Sequence, residues 1–478
     1  MSIKDIHESV LQGSVSVTER VRQALAVIEE NKHLNAFTQI YAEEALQQAE
    51  SLDQKITGKQ KVGKLAGIIF AIKDNINIKN HRTTCASKIL NNFVAPFDAT
   101  VIERLKAQDA IFIGKTNMDE FAMGSSSENS FYGPVKNPVD SERVAGGSSG
   151  GSAVAVAIGA CDAALGSETG GSIRQPASFT GLLGLKPTYG RVSRYGLVAY
   201  ASSLDQIGPF AKTPEDLAYI LQVIAGLDPK DSTSADEPVP DYPALIDKPI
   251  KGMKIGLPQE YFAEGLDPEI KQSVLSLADQ LKAAGAEVQT ISLPMTKYAI
   301  AAYYIIATAE ASSNLARYDG LRYGYRSAQA EDLNEMYQNT RSEGFGEEVK
   351  RRILLGTYVL SAGYYDAYYK KAMQVRRLIQ NEMMDALKEF NALITPTTPT
   401  TAFKLGEKIE DPLTMYLMDI YTVTANLAGI CALNVPAGQH SNGLPFGLQI
   451  MSGAFREETL FRLAKQIIKV SSGSKNKF

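Results

Sequence analysis

The sequence predicts an α/β fold with a large β-sheet, largely parallel or mixed, and helices on both faces. From Leu65 onward, short apolar runs typical of buried strands, such as 65–72 and 110–114, alternate with segments of helical periodicity. Such alternation is typical of parallel or mixed sheets covered by helices on both sides. Hydrophobic residues make up 44% of the 478 positions, enough to bury a large core as one big domain or two.

The first sixty residues are predicted to form an outer layer of helices. Thr18 can cap a helix there. Apolar residues recur at helical spacing in two groups, Val21, Leu25 and Ile28, followed by Ala45, Leu46, Ala49 and Leu52. We expect this layer, 1–60, to be structural rather than catalytic.

The remaining elements follow in order, interrupted by one long connection. A helix at 99–108 precedes the strand at 110–114, and Thr213 caps a helix with proline at its first position. Residues 227–251, rich in Pro, Asp and Ser, are predicted to be a surface connection. Beyond it we expect strands at 253–258 and 286–294 on either side of a helix at 267–284. A helical, tyrosine-rich segment at 298–388 should follow, and then strands at 392–400 and 431–438. The end of the chain, 471–478, is predicted to be disordered.

Charge and cysteine content argue against several classes of protein. The net charge is −4, so the chain lacks the concentrated Lys and Arg that neutralise nucleic-acid phosphates, and any RNA must be held mainly by a partner. Cys85, Cys161 and Cys431 are too few and too scattered for a disulfide framework or a zinc site, which favours the reducing cytosol. We expect neither a leader peptide nor a membrane helix.

Two glycine-serine loops flank one apolar helix in the middle of the chain. Residues 146–152 alternate glycine with serine, the apolar run 153–160 follows, and residues 169–172 repeat the pattern. A flexible linker would not be followed at once by a buried helix and a second such loop. A phosphate-binding loop would need a closing lysine that this run lacks. Glycine and small hydroxyls instead let backbone amides approach a bound group closely.

A nucleophile elbow is one alternative for the first loop. Residues 146–150 satisfy G-x-S-x-G with Ser148 as the nucleophile. That motif needs a buried strand before the serine and a histidine after it. The preceding residues, 137–145, are polar and broken by proline, and only His440 is available downstream.

The scarcity of histidine favours a lysine as the base. The chain holds four histidines, His7, His33, His81 and His440. A serine nucleophile needs a base, and a buried lysine kept neutral is the common substitute for histidine. Lys73 ends the apolar run 65–72, which would place its amine at the end of a buried strand.

These motifs together resemble the amidase signature family. The likeness rests on GGSSGGSAVAVA at 146–157, GSETGGSIRQPASFTGLLGLKPTYGRVSRYG at 166–196 and Lys73 in GIIFAIKDN, and it runs from Leu65 to the end of the chain. Within the family, the segments MDEFAMGSSSENSFYGPVKNP, LGTYVLSAGYYDAYY and NLAGICALNVPAG resemble the A subunits of tRNA-dependent glutamyl-tRNA(Gln)/aspartyl-tRNA(Asn) amidotransferases.

The resemblance implies a Ser-Ser-Lys mechanism. It assigns Ser172 as the nucleophile, Ser148 as a relay held by a cis peptide bond, and Lys73 as the base that takes the proton through Ser148. The oxyanion would then lie against backbone amides, where glycine allows the close approach that such donors need. These expected donors are Thr169, Gly170, Gly171 and Ser172.

The resemblance also implies a free amino acid, glutamine, as the substrate. It assigns the α-carboxylate to Arg352, the α-ammonium to Asp419 and a supporting contact to Tyr303. A planar arginine suits a carboxylate better than lysine does. Without the resemblance, Arg352 and Asp419 would be read as surface charges on helices.

Two functions of different classes follow. The first is a glutaminase subunit that supplies ammonia for the amidation of Glu-tRNA(Gln) or Asp-tRNA(Asn). The second is a free-standing amidase that hydrolyses small carboxamides. A scaffold without activity is disfavoured because Lys73, Ser148 and Ser172 are all present.

The family likeness further implies one amidase domain spanning 1–478. Its expected parts are the helical layer at 1–60, a catalytic half at 61–226, the connection at 227–251 and a substrate-binding half at 252–470. The expected partners are subunits B and C in a heterotrimer. No cofactor or metal is expected in this chain, and ATP and Mg²⁺ are assigned to the partner. The expected location is the cytoplasm, or an organellar matrix in a eukaryote.

Overall fold

A computed structural model describes residues 1–407 and 412–473 of the chain. Within these residues, eleven strands form one sheet. They are β1 (Phe37–Ile40), β2 (Ile69–Lys73), β3 (Ile111–Thr116), β4 (Ala163–Glu168), β5 (Leu183–Lys186), β6 (Gln206–Ala211), β7 (Lys254–Pro258), β8 (Glu287–Ile291), β9 (Ala392–Pro396), β10 (Cys431–Gln439) and β11 (Pro445–Ser452).

Helices connect the strands and cover the sheet. They are α1 (Ile3–Leu11), α2 (Val17–Glu30), α3 (Ala42–Thr57), α4 (Thr100–Lys106), α5 (Gly150–Ala157), α6 (Arg174–Thr180), α7 (Pro214–Ile224), α8 (Tyr242–Leu245), α9 (Pro268–Ala283), α10 (Ala299–Leu315), α11 (Leu333–Gly344), α12 (Glu347–Leu360), α13 (Lys371–Glu389), α14 (Pro412–Leu417), α15 (Val423–Ala428) and α16 (Glu457–Gly473).

The sheet is mixed, as the sequence predicts. Its strand order is β1-β3-β2-β4-β6-β5-β10-β11-β9-β7-β8. Strand β2 runs parallel to β3 and β4, and β7 runs parallel to β8 and β9, whereas the other neighbours are antiparallel. The pairing of β5 with β10, with Leu185 opposite Leu433, joins strands that are far apart in the chain.

The two largest apolar clusters of the described residues hold the helices against the sheet. The larger core joins α1, α2, α7, α9 and α16 to the strands, and the second packs α10, α12 and α13 with α15. Helix α5 is buried from Gly150 to Val156, which its small apolar sequence GGSAVAVA permits. The predicted α/β architecture is therefore confirmed.

The N-terminal layer differs from the prediction in two respects. It contributes a strand, β1, which pairs antiparallel with β3 at the sheet edge. Four residues of mixed polarity give too short a pattern to separate this strand from the flanking helices. Helix α2 is capped by Ser16, whose side chain accepts from the Glu19 amide at 3.3 Å, whereas Thr18 lies inside the first turn.

The predicted connection and terminus also contain helical structure. Helix α8 lies within 227–251, and its Tyr242 is buried against Phe461, with ring centroids 5.6 Å apart. Helix α16 includes the first three residues of the end predicted to be disordered, and 474–478 lie outside the described residues. In the described chain no helix is both long and apolar enough to span a bilayer. The division into 61–226 and 252–470 stays a prediction.

Candidate active site

Lys73 lies at the end of an interior strand of the sheet, with its amine buried. It ends β2, a strand that is buried at all five positions and flanked by β3 and β4. Its Nζ lies 2.7 Å from Ser148 Oγ, 2.7 Å from Ser149 Oγ and 3.1 Å from the Ser167 carbonyl oxygen. Burial lowers the pKa of Lys73 to about 7. Lys73 is therefore neutral in roughly half of the molecules at pH 7.

The hydrogen bonds around Lys73 suit a neutral amine. Ser149 Oγ donates its own hydrogen to the Ser167 carbonyl oxygen at 2.9 Å, so it accepts from Lys73. A neutral amine has two hydrogens and one lone pair. Because the hydrogens go to Ser149 Oγ and the Ser167 oxygen, the lone pair is left for the hydroxyl of Ser148.

Two buried carboxylates oppose the effect of burial on Lys73. Asp119 and Asp205 both raise the pKa of Lys73, although less than burial lowers it. Asp119 accepts from the Ser127 amide at 2.9 Å, and Asp205 accepts from Thr169 Oγ1 at 2.7 Å. Burial raises the pKa of each carboxyl to about 6. The charge on these two groups therefore raises the pH at which the lysine loses its proton.

Ser148 lies in a loop that is packed too tightly for side chains at its glycines. The Gly147–Ser148 peptide bond is cis. The Gly147 amide donates to Gln175 Oε1 at 2.8 Å, and the Asp119 amide donates to the Ser148 carbonyl oxygen at 3.3 Å. A Cβ at Gly147 would lie 2.2 Å from Asp119 Oδ2, so glycine is required there.

Ser172 lies in the second loop, 169–172, between β4 and α6. It is half-buried, and within the described chain its hydroxyl makes no hydrogen bond. The backbone amides of Gly170, Gly171 and Ser172 likewise donate to no acceptor in residues 1–407 and 412–473. Three such amides beside a serine hydroxyl can hold the oxyanion that would form if the hydroxyl attacked a carbonyl group.

A buried ion pair fixes the ends of this loop. Glu168, just before the loop, accepts from the amides of Ile173 at 3.1 Å and Arg174 at 3.2 Å, just after it. Arg174 Nε donates back to Glu168 Oε1 at 2.9 Å, and neither side chain is exposed. The loop is therefore closed by one pair of opposite charges.

Arg352, on α12, is a buried cation with one unused nitrogen. Its Nε donates to Glu348 Oε1 at 2.7 Å and its Nη1 donates to Tyr200 Oη at 2.8 Å. The Arg352 Cζ lies 5.3–5.7 Å from the ring centroids of Tyr200, Tyr304 and Tyr416. Its Nη2 is buried and has no partner in the described chain, which leaves a donor for a carboxylate.

Asp419 is the matching buried anion. Tyr304 Oη donates to Asp419 Oδ2 at 2.8 Å, and Ser125 Oγ lies 3.0 Å from both carboxylate oxygens. Burial raises the pKa of Asp419 to about 7. Tyr304 therefore contacts both charged groups, Asp419 through its hydroxyl and Arg352 through its ring.

Tyr303 joins these two charges to the serine loop. A Cβ at Gly170 would lie 2.4 Å from Tyr303 Cζ, so the tyrosine ring packs directly on the loop backbone. The rings of Tyr303 and Tyr304 meet edge to face, with centroids 4.9 Å apart. The two serine loops are joined by the Ser149 amide, which donates to the Ser172 carbonyl oxygen at 3.2 Å. The structure thus brings together the residues singled out from the sequence: Lys73, Ser148, Thr169, Gly170, Gly171, Ser172, Tyr303, Arg352 and Asp419.

Sequence reasoning missed several residues that hold these groups in place. They are Ser125, Tyr200, Asp205, Tyr304, Glu348 and Thr422. None belongs to a motif whose spacing indicates chemistry. The only signal was position, since Tyr304 and Glu348 lie close in sequence to Tyr303 and Arg352.

His440 lies away from the serine loops. It is in the turn between β10 and β11, where its amide donates to the Leu444 carbonyl oxygen at 2.8 Å. Its Nε2 lies 3.3 Å from Asp267 and 3.4 Å from Glu269. The basic group that contacts Ser148 is the Lys73 amine and not a histidine, which argues against a nucleophile elbow.

A family model described as Amidase matches residues 19–461. The chain belongs to the amidase signature family. It is an enzyme of that family, and its mixed sheet is the amidase signature fold.

Relatives and solved structures of the amidase signature family match almost the whole chain. The A subunit of the glutamyl-tRNA(Gln) amidotransferase of Persephonella marina is 55% identical over 476 residues, which cover 99% of this chain and 98% of the relative. The crystal structure of a protein of the same name from Thermotoga maritima matches with a TM-score of 0.81 and 44% identity. The match covers 99% of this chain and 95% of the Thermotoga chain. The structure of the peptide amidase of Stenotrophomonas maltophilia matches with a TM-score of 0.82 and 30% identity. The match covers 98% of this chain and 96% of the peptide amidase chain.

Proposed function

We propose that this chain is the glutaminase subunit of a tRNA-dependent amidotransferase. It hydrolyses glutamine and releases ammonia, which a partner uses to amidate Glu-tRNA(Gln) or Asp-tRNA(Asn). The similarity to A subunits of glutamyl-tRNA(Gln) amidotransferases supports this role. The observation that carries the substrate assignment is the buried Nη2 of Arg352, a cation donor without a partner in the described chain, beside the buried anion Asp419.

In the proposed reaction, Ser172 attacks the side-chain amide of glutamine. The Ser172 hydroxyl gives its proton to Ser148 as the Ser148 hydroxyl gives its own to neutral Lys73. The 2.7 Å contact between Lys73 Nζ and Ser148 Oγ supports this relay. The hydrogen bond from Ser172 to Ser148 forms when substrate binds, as catalytic hydrogen bonds often tighten only in the complex.

The oxyanion of the tetrahedral intermediate is held by the amides of loop 169–172. Donors that already point at the developing charge need no rearrangement during the reaction. Collapse of the intermediate breaks the carbon–nitrogen bond. Lys73 returns its proton through Ser148, so the nitrogen leaves as ammonia and a γ-glutamyl ester remains on Ser172. Water then attacks this ester by the same relay and releases glutamate.

Recognition of glutamine rests on the two buried charges. The α-carboxylate accepts from Arg352 Nη2, and the α-ammonium pairs with Asp419. The ammonium stabilises the charged form of Asp419, whose pKa of about 7 would otherwise leave it partly protonated. Tyr303 lies between this pair and the loop, and it supports the aliphatic part of the substrate.

The remaining activities belong to partner subunits. The proposed complex is a heterotrimer with subunits B and C in the cytoplasm or an organellar matrix, and the tRNA is held mainly outside this chain. The net charge of −4 supports that division. ATP and Mg²⁺ are assigned to the partner. In residues 1–407 and 412–473, no three His, Cys, Asp or Glu side chains are grouped as metal ligands.

The test compares two sources of ammonia on the reconstituted complex. Arg352→Ala should lower glutamine-dependent transamidation about 10- to 100-fold, the cost of a charged hydrogen bond, and leave the reaction with ammonium chloride unchanged. Ser172→Ala should abolish only the glutamine-dependent reaction. Arg351→Ala is the matched control, because its side chain is 43% exposed and pairs with the same Glu348.

Equal losses with both ammonia sources would contradict the proposal, since Arg352 would then support the fold or the assembly. Full activity of the isolated chain on small carboxamides, without glutaminase activity in the complex, would favour the free-standing amidase instead.

A further inference from the structure

Thr422 connects the Asp419 segment to the serine loop by a single hydroxyl. It is fully buried and lies just before α15. Its Oγ1 donates to the Gly170 carbonyl oxygen at 2.5 Å. Thr422 Oγ1 also lies 3.1 Å from the Asp419 carbonyl oxygen. This hydroxyl therefore reaches from the turn that carries Asp419 to the backbone of loop 169–172.

The hydrogen bond to Gly170 also fixes the amide of Gly171. The Gly170 carbonyl and the Gly171 amide belong to one planar peptide unit, and in a trans peptide they point in opposite directions. When Thr422 holds the carbonyl on its own side, the Gly171 N–H must point to the other side. That amide is one of the donors without an acceptor in the described chain.

The peptide between two glycines can rotate easily without such a contact. Neither residue has a Cβ, and Gly171 has φ of +144°, a conformation that other residues rarely adopt. A rotation of this peptide would turn a carbonyl oxygen toward the oxyanion and repel it. A Cβ at Gly171 would lie 2.3 Å from Thr422 Oγ1, so the close contact itself requires glycine.

The backbone of Thr422 is fixed from a second direction. Arg174 Nη2 donates to the Thr422 carbonyl oxygen at 2.8 Å, and the Thr422 amide donates to the Asp419 carbonyl oxygen at 3.0 Å. Arg174 is in turn paired with Glu168, which closes the ends of the loop. The hydroxyl of Thr422 is therefore a fixed point against which the glycine peptide is held.

We propose that Thr422 is a positioning residue that orients the Gly170–Gly171 peptide so that its amide stabilises the oxyanion. The inference rests on the proposed function, because an oxyanion forms only if Ser172 attacks an amide. It goes further in joining substrate recognition to catalysis. Asp419, which takes the α-ammonium, and Thr422, which sets the oxyanion donor, are three residues apart in one turn.

The test compares Thr422→Val and Thr422→Ser in the reconstituted complex. Valine keeps the shape and removes the hydroxyl, whereas serine keeps the hydroxyl. Loss of one oxyanion donor costs about 10²- to 10³-fold in kcat. We therefore expect glutaminase kcat to fall about 100-fold in Thr422→Val with KM nearly unchanged, and to recover within about threefold of the parent in Thr422→Ser.

Binding is measured separately in the Ser172→Ala background by titration calorimetry. The glutamine Kd should be the same with and without Thr422→Val, because the oxyanion donor acts on the transition state. The matched control is Thr424→Val. Thr424 is also fully buried, but its hydroxyl accepts from Tyr261 Oη at 2.8 Å, and the control should keep the parental kcat.

Three results would overturn the inference: parental kcat in Thr422→Val, an equal loss in Thr422→Ser, or a loss that appears in Kd and not in kcat. If thermal melting shows that Thr422→Val does not fold, Thr422→Ala serves for the same comparison with Thr422→Ser. A parent complex that hydrolyses no glutamine would overturn the proposed function, and this inference with it.

Discussion

Replacement of Lys73 by arginine should remove almost all glutamine hydrolysis. Arginine keeps the positive charge but cannot lose a proton at working pH. A general base contributes about 10²- to 10⁴-fold to the rate, so the loss in kcat should fall in that range. The Lys73 amine is fully buried between Ser148 and Ser149, and no water can replace it easily as the acceptor.

The pH profile of the parent enzyme should show the titration of Lys73. With a Lys73 pKa of about 7, the neutral fraction is about 0.9 at pH 8 and about 0.1 at pH 6. The value of kcat/KM should therefore fall about tenfold between pH 8 and pH 6, with the slope of one proton. Ammonia release, followed by a coupled glutamate dehydrogenase reaction, gives this profile directly.

Two results would refute this reasoning. One is an acid limb that is flat between pH 8 and pH 6. The other is more than a tenth of the parental activity in a folded Lys73→Arg enzyme, with folding checked by circular dichroism and thermal melting.

Two further variants test the surroundings of the site. Asp119→Asn removes a negative charge that raises the pKa of Lys73. The acid limb of the pH profile of kcat/KM should therefore move to lower pH. An unchanged or higher midpoint of that limb would argue against the coupling of Asp119 to Lys73. Tyr200→Phe removes the acceptor for Arg352 Nη1. In steady-state assays, KM for glutamine should therefore rise about 10-fold with little change in kcat. A loss confined to kcat would assign Tyr200 a different role.

The buried strand and the glycine loops of the candidate site were predictable because their signals are local. The apolar run 65–72 predicts the buried strand that ends at Lys73. The glycines at 146, 147, 150, 151, 170 and 171 predict close backbone approach. The likeness to the amidase signature family is confirmed by the match over 19–461. The assignment of Ser148 and Ser172 to catalytic roles stays a prediction until the variants are measured.

The amino-acid-binding side was predictable only through the resemblance. Helical periodicity alone does not decide between neighbouring arginines, yet the side chain of Arg351 is 43% exposed and that of Arg352 is 2% exposed. What separates them is contact with Tyr200 and Tyr416, which lie 152 and 64 residues away in the chain. Contacts at such distances leave no pattern in a single sequence. The strand β1 was missed for a different reason, since its four residues are too few for periodicity.

The pairing of β5 with β10 has a consequence for the order of synthesis. Lys73, Ser148 and Ser172 leave the ribosome early, but β5 has no partner on one side until residues 432–434 have been made. Arg352 and Asp419 also come late, and Arg174 bonds to Gln449 near the end of the chain. A nascent or truncated chain therefore holds Ser172 without Arg352 and Asp419, and we expect it to hydrolyse no glutamine before translation is complete.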